Sequence, residues 1–169
     1  VTPRQASEQA KAPAERAAEL DPMLSEAQSS LASVRARDYA WSDAERGFRR
    51  AIDLNPNNTL AHLQLGMPVL IVQGRVDEGL AEVHRAVTLD PLSPYTNTEF
   101  GRALMWTGRY QEAINQFHKA IALDPTRNRP YNLLGRALAL QGKYTEAIGV
   151  LDENVRRGMS VEEQTGRVC

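Results

Sequence analysis

Cysteine is almost missing from this chain: one occurs in 169 residues, and it is the last, Cys169. That excludes an internal disulfide framework and a cysteine-built zinc site. A dominant charge is missing as well, since 20 Lys and Arg stand against 21 Asp and Glu for a formal −1. No global positive field draws in nucleic acid or an anionic lipid surface. No apolar run approaches the roughly 20 residues that a membrane-spanning helix needs. The amino end, Val1-Thr2-Pro3-Arg4, has neither an initiator methionine nor the build of a signal peptide, and it reads as a fragment of something longer. Catalytic signatures are absent too: there is no H-E-x-x-H, Walker loop, G-x-S-x-G, or G-x-G-x-x-G in a strand–helix setting. The expectation is a protein that is not an enzyme and uses no cofactor and no metal ion.

What the chain has instead is a repeat. Leu20-Asp21-Pro22, Leu54-Asn55-Pro56, Leu89-Asp90-Pro91 and Leu123-Asp124-Pro125 recur at spacings of 34, 35 and 34. Gly66, Gly101 and Gly135 mark a second place in the unit, and Gly74-Arg75, Gly108-Arg109 and Gly142-Lys143 mark a third. Each unit reads as two helices. Between Tyr110 and Leu123, apolar residues at Tyr110, Ala113, Ile114, Phe117, Ala120 and Ile121 form an i, i+3, i+4, i+7 stripe. The segment before it carries Phe100, Ala103, Leu104 and Trp106 and ends at Gly108, where glycine takes a positive φ past a helix end without steric cost. Leu-Asp-Pro then stops the second helix, because the residue before proline is pushed out of the α region.

This pattern strongly resembles the tetratricopeptide repeat, a unit of about 34 residues with a W-x2-L-G-x2-Y…A-x3-F…P signature. One unit supplies Phe100-Gly101, Leu104, Tyr110, Ala113, Phe117, Ala120 and Pro125, and the next Tyr131, Leu134-Gly135, Leu138, Tyr144, Ala147 and Leu151. The resemblance implies an all-α fold, a right-handed superhelical solenoid of antiparallel helix pairs. On that frame residues 1–22 are an incomplete repeat with only its second helix, and 23–56, 57–91 and 92–125 are repeats. Residues 126–159 form a last repeat of capping character, followed by a flexible tail over 160–169. The phrases from Trp41 to Ala51 and from Leu89 to Pro94 are similar to repeat regions of bacterial proteins that join such arrays to winged-helix, protein-kinase or adenylate-cyclase-like modules. None of those modules' own signatures occurs in the chain.

The phase breaks in one place. Gly101 to Gly108 and Gly135 to Gly142 are seven apart, but Gly66 to Gly74 are eight apart. The extra residue lies between Met67 and Gln73, alongside Pro68, which removes a helical hydrogen bond and crowds the turn before it. Together they predict a π-bulge or kink, either a tolerated irregularity or a hinge in the groove. At the ends, the stripe Ala10, Ala14, Ala17 lacks a neighbour, which makes exposed array ends candidate homodimer surfaces. Asn154 and Met159 replace the alanine and proline of the signature, which suits a capping helix with a polar outer face.

In this family the first helix of each unit lines a concave surface, and partners bind there. Carried over, the resemblance implies a groove lined by Arg37, then Leu63 and Met67, then Tyr95, Thr98, Arg102, Met105 and Trp106, then Arg129, Asn132 and Arg136. Its middle would be apolar and its later part basic. There the arginines and Asn132 would grip a carboxylate, phosphate or acidic peptide, with Trp106 and Met67 as anchors. Two subtypes are set aside: Ser29 and Ser33 stand where a chaperone-tail carboxylate clamp needs Lys and Asn, and Ser30, Gln64, Glu99 and Leu133 replace the asparagine ladder of glycosyltransferase arrays. His84 and His118, which are 34 apart, belong to the outer surface, and His62 is expected to pack rather than ligate. The function expected is a non-catalytic protein–protein interaction module that holds a protein or peptide, with no nucleic acid and no membrane insertion. The alternative is a structural spacer, oligomerisation or regulatory array beside a signalling domain. A cytoplasmic location is expected, with the extracytoplasmic part of a membrane-anchored protein as the alternative.

Overall fold

Glycine turns and Leu-Asp/Asn-Pro stops cut most of the chain into helices of 13 or 14 residues. A computed structural model describes the backbone of residues 3–165 and the side chains of residues 10–157. Cys169 lies outside the described residues, as does the tail beyond 165. All regular structure among the described residues is helical: α1 (Pro3–Leu20), α2 (Ser25–Arg37), α3 (Trp41–Leu54), α4 (Thr59–Gln64) running into a π-helical segment (Leu65–Ile71), α5 (Val76–Leu89), α6 (Pro94–Trp106), α7 (Tyr110–Leu123), α8 (Asn128–Leu140) and α9 (Tyr144–Thr165). No described helix is long and apolar enough to cross a membrane. The helices group into two compact units, one ending at Asp90 and the other starting at Pro91.

In the first unit α2 packs on α1 and α3, and α5 packs on α4 and the π segment. Its core joins Ala32, Ala36, Ala44, Phe48, Ala51, Ala61, Leu65, Val69 and Leu70, with Trp41 and Ile52 against its edge. Burial of Phe48 alone removes a side chain worth about 1.5–3 kcal/mol from water. The first turns are tied by side chains. Asn58 Oδ1 accepts from the Ala61 amide at 3.0 Å and caps α4, while its Nδ2 donates to Ser25 Oγ at 2.7 Å. Ser25 Oγ in turn donates to the Ala51 carbonyl at 2.8 Å. Every partner in this buried chain is used, which is the condition for polar groups in a core.

The π segment lies where the eight-residue spacing falls, and Pro68 is inside it. One extra residue in a regular helix rotates everything beyond it by about 100°. A wider turn absorbs the extra residue and keeps Val69 and Leu70 in the core. It also keeps Gly66 and Gly79 back to back. A Cβ on Gly79 would stand 2.7 Å from the Gly66 carbonyl oxygen, and one on Gly66 would collide with the Gly79 carbonyl.

At the turns between paired helices, Gly74, Gly108 and Gly142 have φ of 82°, 80° and 79°. Tyr39 holds the same repeat position with φ 61°, and its ring meets Trp41 edge-on at 5.6 Å. The left-handed conformation costs a tyrosine roughly 1 kcal/mol that glycine does not incur.

Two charged clusters join α3 and α4 to α5. Arg49 and Arg75 each bridge Glu45 and Glu78, at 2.8 and 2.5 Å for Arg49 and at 2.8 and 2.6 Å for Arg75. Burial pushes the Glu45 carboxyl up, but the bonds from Arg49 and Arg75 outweigh it and hold it below its usual range. His62 is buried, with Nδ1 2.6 Å from Glu82 Oε2 and Nε2 3.1 Å from the Pro56 carbonyl oxygen. Both partners are acceptors, and a neutral imidazole has only one N–H. The site is satisfied in full by the imidazolium. The Glu82 bond raises the His62 pKa, burial opposes it, the Pro56 carbonyl adds to it, and the Arg85 charge opposes it.

In the second unit α7 packs on α6 and α8, and α9 packs on α8. Leu104, Phe117 and Leu134 are its largest fully buried apolar side chains. The α9 helix runs to Thr165, so the span read from sequence as a flexible tail from residue 160 begins inside that helix. The polar outer face expected of α9 is also corrected. Tyr144, Ile148 and Val155 are 66%, 61% and 59% exposed, so apolar side chains share the open surface of α9.

Two predictions follow from this packing. Gly66→Ala forces backbone apart against Gly79, so thermal unfolding should show a loss of about 1–3 kcal/mol or more. Gly149→Ala is the control, since its Cβ meets nothing within 4 Å; it should leave stability unchanged or raise it. For His62 the folded-state pKa lies above the unfolded value of 6.5. Its contribution is therefore complete below that value and fades as pH rises through the folded pKa. The stability gap between the parent and His62→Gln, followed by denaturant titration, should be wider at pH about 6 than at pH about 8.5.

Candidate arginine site on the first helices of the second unit

Pro94 opens α6 at a position where its missing N–H costs nothing, and Ser93 accepts from the Thr96 amide at 3.3 Å to cap the same turn. This fixes the face that Tyr95, Glu99 and Arg102 share at helical spacing. The Glu99 side chain is only 5% exposed, and a buried carboxylate requires partners. It has two. Arg102, three residues on, places a guanidinium nitrogen 2.5 Å from Oε2, and Arg129 at the start of α8 places one 2.9 Å from Oε1; these are charge pairs, and buried Oε1 and Arg102 Nε make no hydrogen bond. Burial raises the Tyr95 phenol pKa, the Glu99 charge adds to this, and Arg102 and Arg129 counter it. Arg136 lies two turns along α8 from Arg129 and is exposed. Three arginines against one glutamate leave this face positive.

The residues read from sequence as groove lining divide into two groups. Tyr95, Arg102 and Arg129 come together around Glu99, and Trp106 is 57% exposed at the end of α6. Arg37, in the first unit, is exposed at the end of α2. Leu63, Met67, Thr98 and Met105 are corrected to packing positions: they are 3%, 3%, 3% and 4% exposed. Water gives up a leucine or methionine side chain with a gain of about 1.5–3 kcal/mol, and that gain holds them inside. The Thr98 hydroxyl donates to the Pro94 carbonyl at 2.6 Å. Asn132 is exposed, but its Oδ1 accepts from Asn154 Nδ2 at 3.1 Å and braces α9. Met67 is thus no surface anchor, while Trp106 remains accessible.

Sequence reasoning passed over Glu99, noting only that it is not asparagine. The signal was available in the i, i+3 pair Glu99–Arg102, a spacing that puts opposite charges on one helix face. No group of three or more His, Cys, Asp or Glu side chains among the described residues is arranged to hold a metal ion. His84 and His118 are exposed on second helices.

Comparison with known proteins bears on this arrangement. Residues 98–160 match the tetratricopeptide repeat family model. A search of curated protein sequences gives no match. Among solved structures, MamA from Desulfovibrio magneticus RS-1 superposes with a TM-score of 0.74 at 19% identity, over 93% of this chain and 88% of that one. Pseudomonas aeruginosa PilF gives 0.74 at 23% identity, over 91% and 70%. YrrB, described as a TPR protein with an unusual peptide-binding site, gives 0.66 at 24% identity, over 90% and 78%. At these identities the likeness concerns the fold. With the family match over residues 98–160, the phased glycine and Leu-Asp/Asn-Pro markers and the helix pairs, the chain has the fold of tetratricopeptide-repeat proteins, and its residues 98–160 are similar in sequence to that family.

Proposed function

We propose that the chain is a non-catalytic interaction module that receives an acidic stretch of a peptide or partner helix on the α6–α8 face of its second unit. The observation that carries this reading is the pair of guanidiniums, Arg102 and Arg129, sharing the one buried carboxylate of Glu99. Glu99 neutralises one positive charge and orients two. Guanidinium N–H donors are the group best matched to a carboxylate. Arg136 extends the positive face along α8, and exposed Trp106 offers the flat apolar contact that interfaces favour. Such repeats act as protein-binding scaffolds, and a structural relative is described as having a peptide-binding site, both of which support the reading.

The test is fluorescence anisotropy with a labelled peptide of alternating glutamate and leucine, beside a glutamine–leucine control. The acidic peptide should bind more tightly, and its affinity should fall as salt rises from about 0.05 to 0.3 M. Arg129→Glu combined with Arg136→Glu should weaken it on the order of tenfold or more, two charge-assisted contacts being lost. Arg129→Glu takes a partner from buried Glu99, so circular dichroism and thermal unfolding first establish that the variant is folded, and Arg136→Glu alone, which leaves Glu99 untouched, should weaken binding by a smaller factor. An unchanged dissociation constant in the double variant would sink the proposal.

A further inference from the structure

Three turns between repeats are closed in the same way, and one of the three closing residues can titrate. Gln28 Nε2 donates to the Pro22 carbonyl at 3.1 Å and Asn97 Nδ2 to the Pro91 carbonyl at 3.0 Å, in each case from six residues after the proline. His62 stands six residues after Pro56, and its Nε2 lies 3.1 Å from the Pro56 carbonyl oxygen. An amide nitrogen can only donate, so the two equivalents show what this place in the repeat demands, an N–H on the proline carbonyl. Tyr131, six residues after Pro125, leaves the series, since its hydroxyl makes no hydrogen bond.

His62 differs from its equivalents in having a second nitrogen with a second partner. Nδ1 lies 2.6 Å from Glu82 Oε2, and the His62 side chain is 7% exposed against 24% for Glu82. Glu82 and Arg85, both on α5, are the charges that act on the ring. α4 has no other ionisable side chain and the π segment has none. α2 meets the turn with the uncharged Ser25 and Ser29, and Asp53, the charge on α3 nearest the turn in sequence, is exposed.

A ring that holds one proton must give up one partner, and the two losses are unequal. The Pro56 carbonyl would face a bare nitrogen of a buried ring and recover nothing for its desolvation. The Glu82 carboxylate can turn to water and to exposed Arg85, one helical turn further along α5. We propose that His62 is a pH-operated tie between α4 and α5: as the imidazolium it holds the Pro56 turn and Glu82 together, and as the neutral Nε2–H tautomer it keeps the turn and releases Glu82. The Glu82 bond raises the His62 pKa above 6.5, so the tie is complete below that value and opens as pH rises through the folded one. α4 has only six residues, Thr59–Gln64, too few to stand by its own hydrogen bonds. Losing its tie to α5 loosens it, while the Asn58 cap and the Pro56 bond keep its start in place.

The experiment is NMR of the full chain with 15N-labelled histidine, in which long-range couplings to the ring protons tell the neutral tautomers apart, from pH about 6 to about 8.5. The His62 signals are those missing from His62→Gln. The proposal expects a neutral ring with its proton on Nε2 at the upper end, and a Glu82 carboxyl carbon that shifts in the same step. Amide exchange of α4, corrected for its intrinsic rate, should quicken several-fold across that step. His62→Gln, which can reach Pro56 as Gln28 reaches Pro22, should show the quicker α4 exchange at both pH values. Glu82→Gln is a second variant that leaves the ring in place, and it should move the His62 step to lower pH. Four results overturn the proposal: a neutral ring protonated on Nδ1, a ring whose protonation does not change over the range, a Glu82 signal indifferent to the ring, or a His62 step that Glu82→Gln leaves where it was.

Discussion

Close approach of paired helices is the constraint from which the rest follows. A Cβ on Gly47 would stand 2.7 Å from that of Ala32, and one on Gly101 would stand 2.6 Å from the Phe117 ring. At these distances packing is decided by the absence of side chains as much as by their presence. A helix pair held this closely leaves room in its core for alanine and a single large residue, which is why Ala44, Phe48 and Ala51 recur in kind as Ala113, Phe117 and Ala120. Interiors packed to crystal-like density tolerate neither a void nor an added methyl. The repeat is therefore conserved within the chain by geometry, at its small positions first.

The same constraint explains why an irregular helix was the solution to an inserted residue. An ordinary helix carrying one extra residue would have turned Gly66 or Val69 out of register with α5 and the core. The π segment confines the disturbance to Leu65–Ile71, and Pro68 sits inside it. Beyond the segment, the Gly74 turn and α5 follow the pattern of the other pairs. Polar groups obey a parallel rule. Ser25, Asn58 and His62 lie where helix ends leave backbone groups without partners, and each is bonded to a carbonyl, a hydroxyl or a carboxylate.

The sequence made the helices, their pairing and the place of the π segment legible, because each depends on local rules. Proline stops, glycine turns and apolar period act within a few residues. The site was legible only in part. Tyr95, Arg102 and Arg129 could be placed on first helices by repeat phase, but phase alone does not say which residue is accessible. Leu63, Met67, Thr98 and Met105 share that phase and are buried. Nor does net charge reveal that Glu99 is the buried partner of two arginines, since that depends on how α6 and α8 approach each other. The exposed stripe of α9 was missed for a related reason. Asn154 suggested a polar cap, whereas the residues that face outward are Tyr144, Ile148 and Val155.

Glu99 also decides how the arginine face should be understood. Without a buried carboxylate, Arg102 and Arg129 would repel one another and scatter into solvent, each keeping the rotamer freedom that a long side chain loses when it is fixed. With it, the two guanidiniums share a counter-charge before any ligand arrives, which would lower the cost of ordering them in the proposed binding. The same carboxylate lowers the attraction the pair exerts on an anion by one unit of charge. Strength is exchanged for orientation, and Arg136, one face along, restores part of the charge without entering the buried cluster. On the proposed function, a face built this way would discriminate by the geometry of the incoming carboxylate more than by its charge alone. Such selectivity is what the proposed reading requires, since guanidiniums paired to one carboxylate would reward a ligand carboxylate presented at one angle and a diffuse positive patch would not.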